Sequence, residues 1–162
     1  MTENEYIEDI LRILKQHNFK IWREVNGIHI EGNNVRIDAI VKPPFGEDIY
    51  FGIEFKGTFD GHSYNYKAKH IKQSVDYSYS KFGKEGRRLY IFLAPNPFKV
   101  NDENYGEIAH ILTQFNIGVI DKTKYGLTFI LGGHLHHRIW SEKEGLKELG
   151  KKRTWKIKVG SQ

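Results

Sequence analysis

The sequence predicts an α/β (α+β) domain in which helices flank a mixed central β-sheet, in the element order αβββαβ followed by αββ. Three observations support this prediction. Apolar residues repeat at helical spacing in some segments and alternate at strand spacing in others. Residues Leu89–Ala94 form a continuous apolar run, as in a central strand buried on both faces. A helical segment precedes that run and follows another strand, and such a strand–helix–strand step favours a mixed sheet covered by helices.

The first part of the chain predicts a helix and the start of the sheet. Thr2–Glu5 has the form of a capping box, and apolar residues then recur at helical spacing to about Gln16. A strand is expected over Phe19–Val25. Asn26–Gly27 predicts a turn before a short strand piece at Ile28–Ile30.

A hairpin is predicted over Val35–Lys56. Its first strand places Val35, Ile37, Ala39 and Val41 on one face and Asp38 on the other; its second places Ile49, Phe51, Ile53 and Phe55 on one face and Glu54 and Lys56 on the other. Asp38 and Glu54 are each eight residues from Gly46. A hairpin symmetric about that glycine therefore places the two carboxylates opposite each other.

The remaining elements complete the predicted order. They are a helix over about 66–81, the central strand over 89–94, a helix over about 103–115, a hairpin of strands 117–121 and 127–131, and a short helix with a basic extension over 141–158. We expect one domain over 1–140, with 141–162 as its basic C-terminal extension.

Composition and charge narrow the functional class. The chain of 162 residues has 39% hydrophobic and 28% charged residues, which is ordinary for a globular domain. It has no cysteine, no apolar run long enough for a bilayer and no secretory signal pattern, so we expect an intracellular, cytoplasmic protein. The net charge of +5 is compatible with a polyanionic partner.

The opposed acids of the hairpin predict a metal site. Like charges placed directly opposite in a sheet repel, and hard divalent cations take carboxylate and carbonyl oxygens as ligands. Asp38 and Glu54, with the backbone carbonyl of Phe55, are the candidate ligands. Lys56 would orient a water or stabilise charge on a phosphate. The alternative is a solvated sheet face with one salt bridge.

Asp38, the separation to Glu54, and the Glu54-x-Lys56 spacing resemble the PD-(D/E)xK nuclease superfamily, with its restriction-endonuclease-like fold. The order of elements over roughly residues 5–94 is similar as well. The resemblance implies that Asp38 and Glu54 bind Mg²⁺, for which Mn²⁺ can substitute, and that Lys56 assists phosphodiester hydrolysis. Ile37 stands where the family pattern has proline.

Two further residues resemble features of branches of that superfamily. Glu24 matches an acidic residue that often completes the metal shell, and its alternative is a surface glutamate paired with Arg23 or a lysine. Gln73 on the helix after the lysine strand matches a glutamine that contacts the active-site network. Tyr77 lies one turn beyond Gln73 on the same face, and the alternative for Gln73 is a solvated position on the helix surface.

Basic and aromatic residues near the hairpin predict contacts with DNA. The segment around Lys67 and Lys69 mixes aromatic and basic side chains, a composition suited to phosphate contact and base stacking. The further candidates for DNA contact are Tyr77, Lys151, Lys152 and Arg153. In a strand, His134 and His136 of the run ending at His137 would share a face, but no third ligand is near in sequence, so contact with DNA or a partner is favoured over a second metal site.

The resulting prediction is a Mg²⁺-dependent deoxyribonuclease, an endonuclease acting on duplex or branched DNA as a homodimer. Restriction-like, junction-resolving and repair or phage roles stay open. The alternatives are a non-catalytic DNA-binding module on the same fold and an RNA-directed nuclease.

Overall fold

The structure is a computed structural model that describes residues 2–46, 48–56, 64–97, 105–132 and 135–147. Within these ranges the chain forms three α-helices, one turn of 3₁₀ helix and nine strands. The helices are α1 (Glu3–Gln16), α2 (Tyr64–Ser78) and α3 (Tyr105–Thr113). The strands are β1 (Lys20–His29), β2 (Asn34–Lys42), β3 (Phe51–Phe55), β4 (Ser80–Phe82), β5 (Tyr90–Ala94), β6 (Ile117–Thr123), β7 (Gly126–Ile130), β8 (Arg138–Ser141) and β9 (Gly145–Leu146).

One mixed sheet contains all nine strands in the order β4-β1-β2-β3-β5-β6-β7-β8-β9. Strand β5 occupies its centre and pairs in parallel with β3 and β6, while the other pairs are antiparallel. All five residues of β5 are buried, which confirms the central strand predicted from its continuous apolar run. The fold is thus mixed α and β, as predicted.

Two core clusters lie on opposite faces of the sheet. The first packs α1, through Ile10 and Leu14, against Phe51, Phe92 and Phe129 of the sheet. The second packs α2 and α3, through Tyr77 and Leu112, against β2, β5 and β6. The strand residues include Ile37, Ile91, Leu93 and Val119. The helices therefore flank the sheet on both sides. Among the described residues, no helix has the length and apolar character needed to cross a membrane.

The first helix begins as its sequence predicts. The Thr2 hydroxyl accepts a hydrogen bond of 3.1 Å from the Glu5 N–H, and the Glu5 carboxylate accepts one of 2.8 Å from the Thr2 N–H. These two bonds satisfy N–H groups that a helix terminus would otherwise leave unpaired.

The turn predicted at Asn26–Gly27 is wrong, because β1 continues through both residues. Gly27 pairs with Val35 on one side and Phe82 on the other. A Cβ atom on Gly27 would lie 2.5 Å from the Phe82 ring. The glycine thus serves the close approach of β4, a role that a local turn pattern cannot distinguish.

The C-terminal segment also differs from its prediction. Residues 138–146 form a strand pair, β8 and β9, instead of the start of a helix. Strand β8 crosses the predicted boundary at residue 140, and Trp140 belongs to the first core cluster. Residues 148–162 lie outside the described part of the chain.

Candidate active site

The two predicted acids lie at the end of the ladder between β2 and β3. The pairs Ala39–Ile53, Ile40–Gly52 and Val41–Phe51 confirm the register expected from symmetry about Gly46, which has a φ of +75°. Asp38 and Glu54 come next in that register. A left-handed conformation at the turn favours glycine, so the position of Gly46 in the sequence predicts which residues of the two strands pair.

Asp38 accepts a backbone hydrogen bond at the point where β2 and β3 separate. The Phe55 N–H donates a hydrogen bond of 2.8 Å to Oδ2 of Asp38. The carboxylate thus takes the place of a backbone acceptor, since the described ladder ends at Ala39–Ile53. Because the N–H and C=O of one strand residue point toward the same neighbour, the Phe55 carbonyl also faces the β2 side.

Glu54 is an almost completely buried carboxyl group, 3% exposed. Burial raises the pKa of Glu54 to about 8, the charge of Asp38 adds to the rise, and Lys56 opposes it. The Oε2 atom is buried without a hydrogen-bond partner among the described residues. Such a group is costly to bury and is satisfied either by a proton or by a cation.

Lys56 lies between the buried Glu54 carboxyl group and solvent. Its Nζ lies 3.8 Å from Oε1 of Glu54, and its side chain is one-third exposed. The Lys56 N–H donates to the Ala94 carbonyl over 3.0 Å, which anchors the end of β3 to the central strand. The ammonium therefore stands at the boundary between the buried acids and the protein surface.

A basic cavity of about 360 Å³ opens beside Lys56. Its lining residues are Lys56, Lys69, His70, Lys72, Gln73 and Asp76. His70 is buried, and burial together with the nearby Lys56 charge lowers the pKa of His70 to about 4, so the imidazole is neutral near pH 7. Three lysines against one aspartate make this cavity suited to an anionic group.

Gln73 and Tyr77 form one hydrogen-bonded unit behind the cavity. Gln73 Nε2 donates to the Tyr77 hydroxyl over 2.8 Å, and that hydroxyl donates to the Arg36 carbonyl over 2.8 Å. Tyr77 is only 5% exposed, and burial and the negative charge of Glu54 raise the pKa of its hydroxyl. The predicted DNA contact by Tyr77 is therefore corrected: its hydroxyl joins α2 to β2 beneath Gln73.

Glu24 lies across from Asp38 but does not complete a three-acid cluster. The β1–β2 pairs on either side are in one register, yet the Glu24–Asp38 pair is missing from the ladder. Glu24 is exposed and has a φ of +51°, and Arg23 pairs with Glu8 instead of with Glu24. No group of three Asp, Glu, His or Cys placed to hold an ion occurs in the described ranges. The structure thus does not bring the predicted third ligand together with the other two.

The faces of β2 also differ from their prediction. Ala39 and Val41 pack in the first core cluster, whereas Val35 and Ile37 pack in the second. The predicted single face for all four is therefore wrong. The core-facing side of β2 therefore changes between Ile37 and Ala39, next to the left-handed Glu24 of β1.

Two carboxylates and one carbonyl fit Mg²⁺ as a partial ligand set. This ion is held in many proteins by one or two carboxylates and takes its remaining oxygens from water and substrate phosphate. The unpartnered buried Oε2 of Glu54 is the atom that a proton or a cation would satisfy. Asp38, Glu54 and the Phe55 carbonyl are the groups that would hold it.

The other predicted DNA contacts have different outcomes. Lys69 is exposed and lines the basic cavity, as its predicted role requires. The side chain of Lys67 and all of Lys151, Lys152 and Arg153 lie outside the described part of the chain. His137 lies in a 3₁₀ turn over Leu135–His137, so the strand arrangement that would align alternate histidines is wrong; His134 and the His136 side chain lie outside the described residues.

In the sequence, His70 stands only as one residue of a basic and aromatic segment. The signal for its place in the site is the spacing of His70, Gln73 and Tyr77, which puts all three on one side of α2. Lys72 and Asp76 also line the cavity, and no pattern in the sequence predicts their place there. No family model, curated protein or solved structure matches this chain.

Proposed function

We propose that this protein is a Mg²⁺-dependent endonuclease that hydrolyses phosphodiester bonds in DNA, and that its fold is built on a restriction-endonuclease-like core. The observation that carries the proposal is Glu54: a buried carboxyl group next to Asp38, with Oε2 unpartnered among the described residues and Lys56 Nζ 3.8 Å from Oε1. Lys56 belongs both to this acid pair and to the lining of the basic cavity, and such an arrangement suits a cation that is shared with a phosphate.

The chain's own residues have separate tasks in this mechanism. Asp38 and Glu54 hold the cation, and when bound it supplies Lewis-acid activation of water and of the phosphate. Glu54 must lose its proton for this, which couples cation binding to pH. Lys56 places a positive charge between the acids and the cavity, where it stabilises charge that develops on the phosphate oxygens.

The basic cavity supports a phosphodiester as the substrate. Lys69 and Lys72 line it together with Lys56, and the neutral His70 presents no additional charge. Gln73 is held by Tyr77, so its amide is a positioning group at the cavity wall. A module that only binds DNA would gain nothing from two carboxylates beside this surface, because they repel phosphate unless a cation is present.

Cleavage assays test the proposal. Wild-type protein is incubated with supercoiled, linear, single-stranded and branched DNA and with matched RNA, in Mg²⁺ or Mn²⁺. We expect Asp38→Asn, Glu54→Gln and Lys56→Ala each to lower DNA cleavage at least about 100-fold, in line with the loss of an electrostatic group at a reacting centre. The control is Lys15→Ala, which removes an exposed lysine on α1.

Two outcomes would overturn the proposal. One is the absence of cleavage of every substrate by the wild type, and the other is equal cleavage by Lys56→Ala and Lys15→Ala. Faster cleavage of RNA than of matched DNA would instead assign the chemistry to RNA.

A further inference from the structure

A second and larger cavity, of about 820 Å³, lies at the edge of the sheet formed by β1 and β4. Its walls come from residues 25–29 of β1 and the adjacent Ile30, from Tyr79 and Lys81, and from the turn that leads to Arg88. None of the groups described above as candidate ligands lines it. We refer to it as the edge cavity.

The edge cavity is strongly cationic. Lys81, Lys84 and Arg88 line it, and its described lining includes no Asp or Glu. None of these three side chains forms an ion pair with another residue of the described ranges. The adjacent Arg87 differs, because it pairs with Asp48 and Glu85 and stacks on Tyr50. Charge compensation at the edge cavity is thus left to solvent ions or to a ligand.

Arg88 lines the edge cavity and also carries an unsatisfied buried donor. Its Nη1 atom is buried and has no hydrogen-bond partner in the part of the chain that the structure describes. A buried donor on a charged group is costly when it is left unsatisfied. The planar guanidinium presents donors in a fork that matches the oxygens of a phosphate.

The rim of the edge cavity distinguishes a polynucleotide from a free anion. Ile28, Ile30 and Tyr79 line this cationic cavity and are 58%, 62% and 39% exposed. Inorganic phosphate has no apolar part to contact them. A nucleic-acid strand offers sugar carbons and base faces next to each phosphate.

One contact links the edge cavity to the candidate active site. His29 lines the edge cavity, and its Nε2 lies 3.7 Å from Oδ1 of Asp76. Asp76 in turn lines the basic cavity beside Lys56. The two cavities are therefore neighbours on either side of the His29–Asp76 contact.

We infer that the edge cavity binds a backbone phosphate of the same nucleic acid whose scissile phosphate lies beside Lys56. Arg88 binds that phosphate directly, and Lys81 and Lys84 add to the positive field. This inference rests on the proposed function and adds to it a second contact that fixes how the substrate lies across the domain.

Binding without catalysis tests the inference. A fluorescently labelled duplex of 20 base pairs is titrated with protein in EDTA at several salt concentrations. Binding is followed by fluorescence anisotropy. We expect Arg88→Gln to weaken binding about tenfold and the double variant Lys81→Ala/Lys84→Ala to weaken it similarly. Each lost phosphate contact reduces the slope of log K against log salt by about 0.9.

Matched variants control for charge and folding. Lys143→Ala removes an exposed lysine far from the edge cavity in sequence, and it should bind within about twofold of the wild type. Arg88→Lys keeps the charge without the fork and should be intermediate. If Arg88→Gln does not fold, the exposed pair Lys81 and Lys84 provides the same test. Wild-type affinity and salt slope in Arg88→Gln, or in the double variant, would overturn the inference.

The two proposals fail in distinguishable ways. If the wild type cuts DNA and Arg88→Gln binds DNA normally, the edge-cavity inference is wrong and the proposed nuclease stands. If DNA binding depends on Arg88 but no nucleic acid is cut, the edge cavity stands and the catalytic proposal is wrong. Thermal stabilisation by inorganic phosphate that requires Arg88, without any effect of Arg88→Gln on DNA binding, would assign the cavity to a free anion and overturn the polynucleotide.

Discussion

The N–H of Phe55 donates a hydrogen bond to the carboxylate of Asp38, across the point where the β2–β3 ladder ends. One acid of the candidate site is therefore also part of the backbone hydrogen bonding of the sheet. This double role allows charge and structure to be separated by mutation.

Asp38→Asn and Asp38→Ala should differ in stability although both lose cleavage. Asparagine retains an oxygen acceptor for the buried Phe55 N–H, whereas alanine leaves that donor unsatisfied, at a cost of about 1–3 kcal/mol. Urea unfolding should therefore show Asp38→Ala to be less stable than Asp38→Asn. Equal free energies of unfolding would indicate that the Asp38–Phe55 bond contributes nothing.

The stability of the metal-free protein should fall as the pH rises from about 5 to 8. Glu54 has a folded-state pKa of about 8, above its ordinary 4.5, so the folded protein retains a proton that the unfolded chain loses. The stabilisation from that proton is complete below the pKa of Glu54 in the unfolded chain and is lost as the pH rises through its pKa in the folded protein. The free energy of unfolding should fall by about a few kcal/mol over this range. Denaturation of wild type and Glu54→Gln between pH 6.5 and 8 measures it, and a wild-type slope as flat as that of the variant would contradict it.

Mg²⁺ should stabilise the wild type more at pH 8 than at pH 6, because cation binding requires the ionised form of Glu54. A ligand at a hundredfold its dissociation constant adds about 2.7 kcal/mol. Thermal unfolding with Mg²⁺, compared with NaCl of equal ionic strength, gives the measurement. Glu54→Gln should lose the difference between the salts; its retention would place the cation elsewhere.

His70 should titrate at a pH well below that of an ordinary histidine. Its pKa is lowered to about 4 by burial first and by Lys56 second. Lys56→Met removes the second cause and should raise the pKa, whereas Lys15→Ala should not. Histidine titration by NMR follows the ring directly. An ordinary pKa near 6.5 in the wild type would show that the ring is hydrated.

Tyr77→Phe should uncouple Gln73 from β2. The substitution removes the hydroxyl that joins the Gln73 amide to the Arg36 carbonyl, and it should cost about 0.5–1.5 kcal/mol of stability. If Gln73 positions the substrate, Tyr77→Phe should also raise KM more than Lys15→Ala does. A loss of stability with unchanged KM would restrict Tyr77 to packing.

The sequence by itself determined the features that depend on neighbouring residues. The capping box of α1 and the register of the β2–β3 pair both follow from local geometry, the latter because the left-handed turn at Gly46 fixes which residues face each other. The opposed positions of Asp38 and Glu54 were predictable for the same reason. So was the central position of β5, since a strand buried on both faces has no polar side.

Only the tertiary structure decided features that depend on distant segments. Gly27 continues a strand because Phe82, far along the chain, packs against it, and β8 and β9 form because the sheet offers a free edge. The burial of Glu54 depends on the helix layer above it, which is why its raised pKa could not be read from spacing. Arg88, Lys81 and β1 converge on the edge cavity only through long-range pairing, since local residue patterns carry no information about which distant strands will meet.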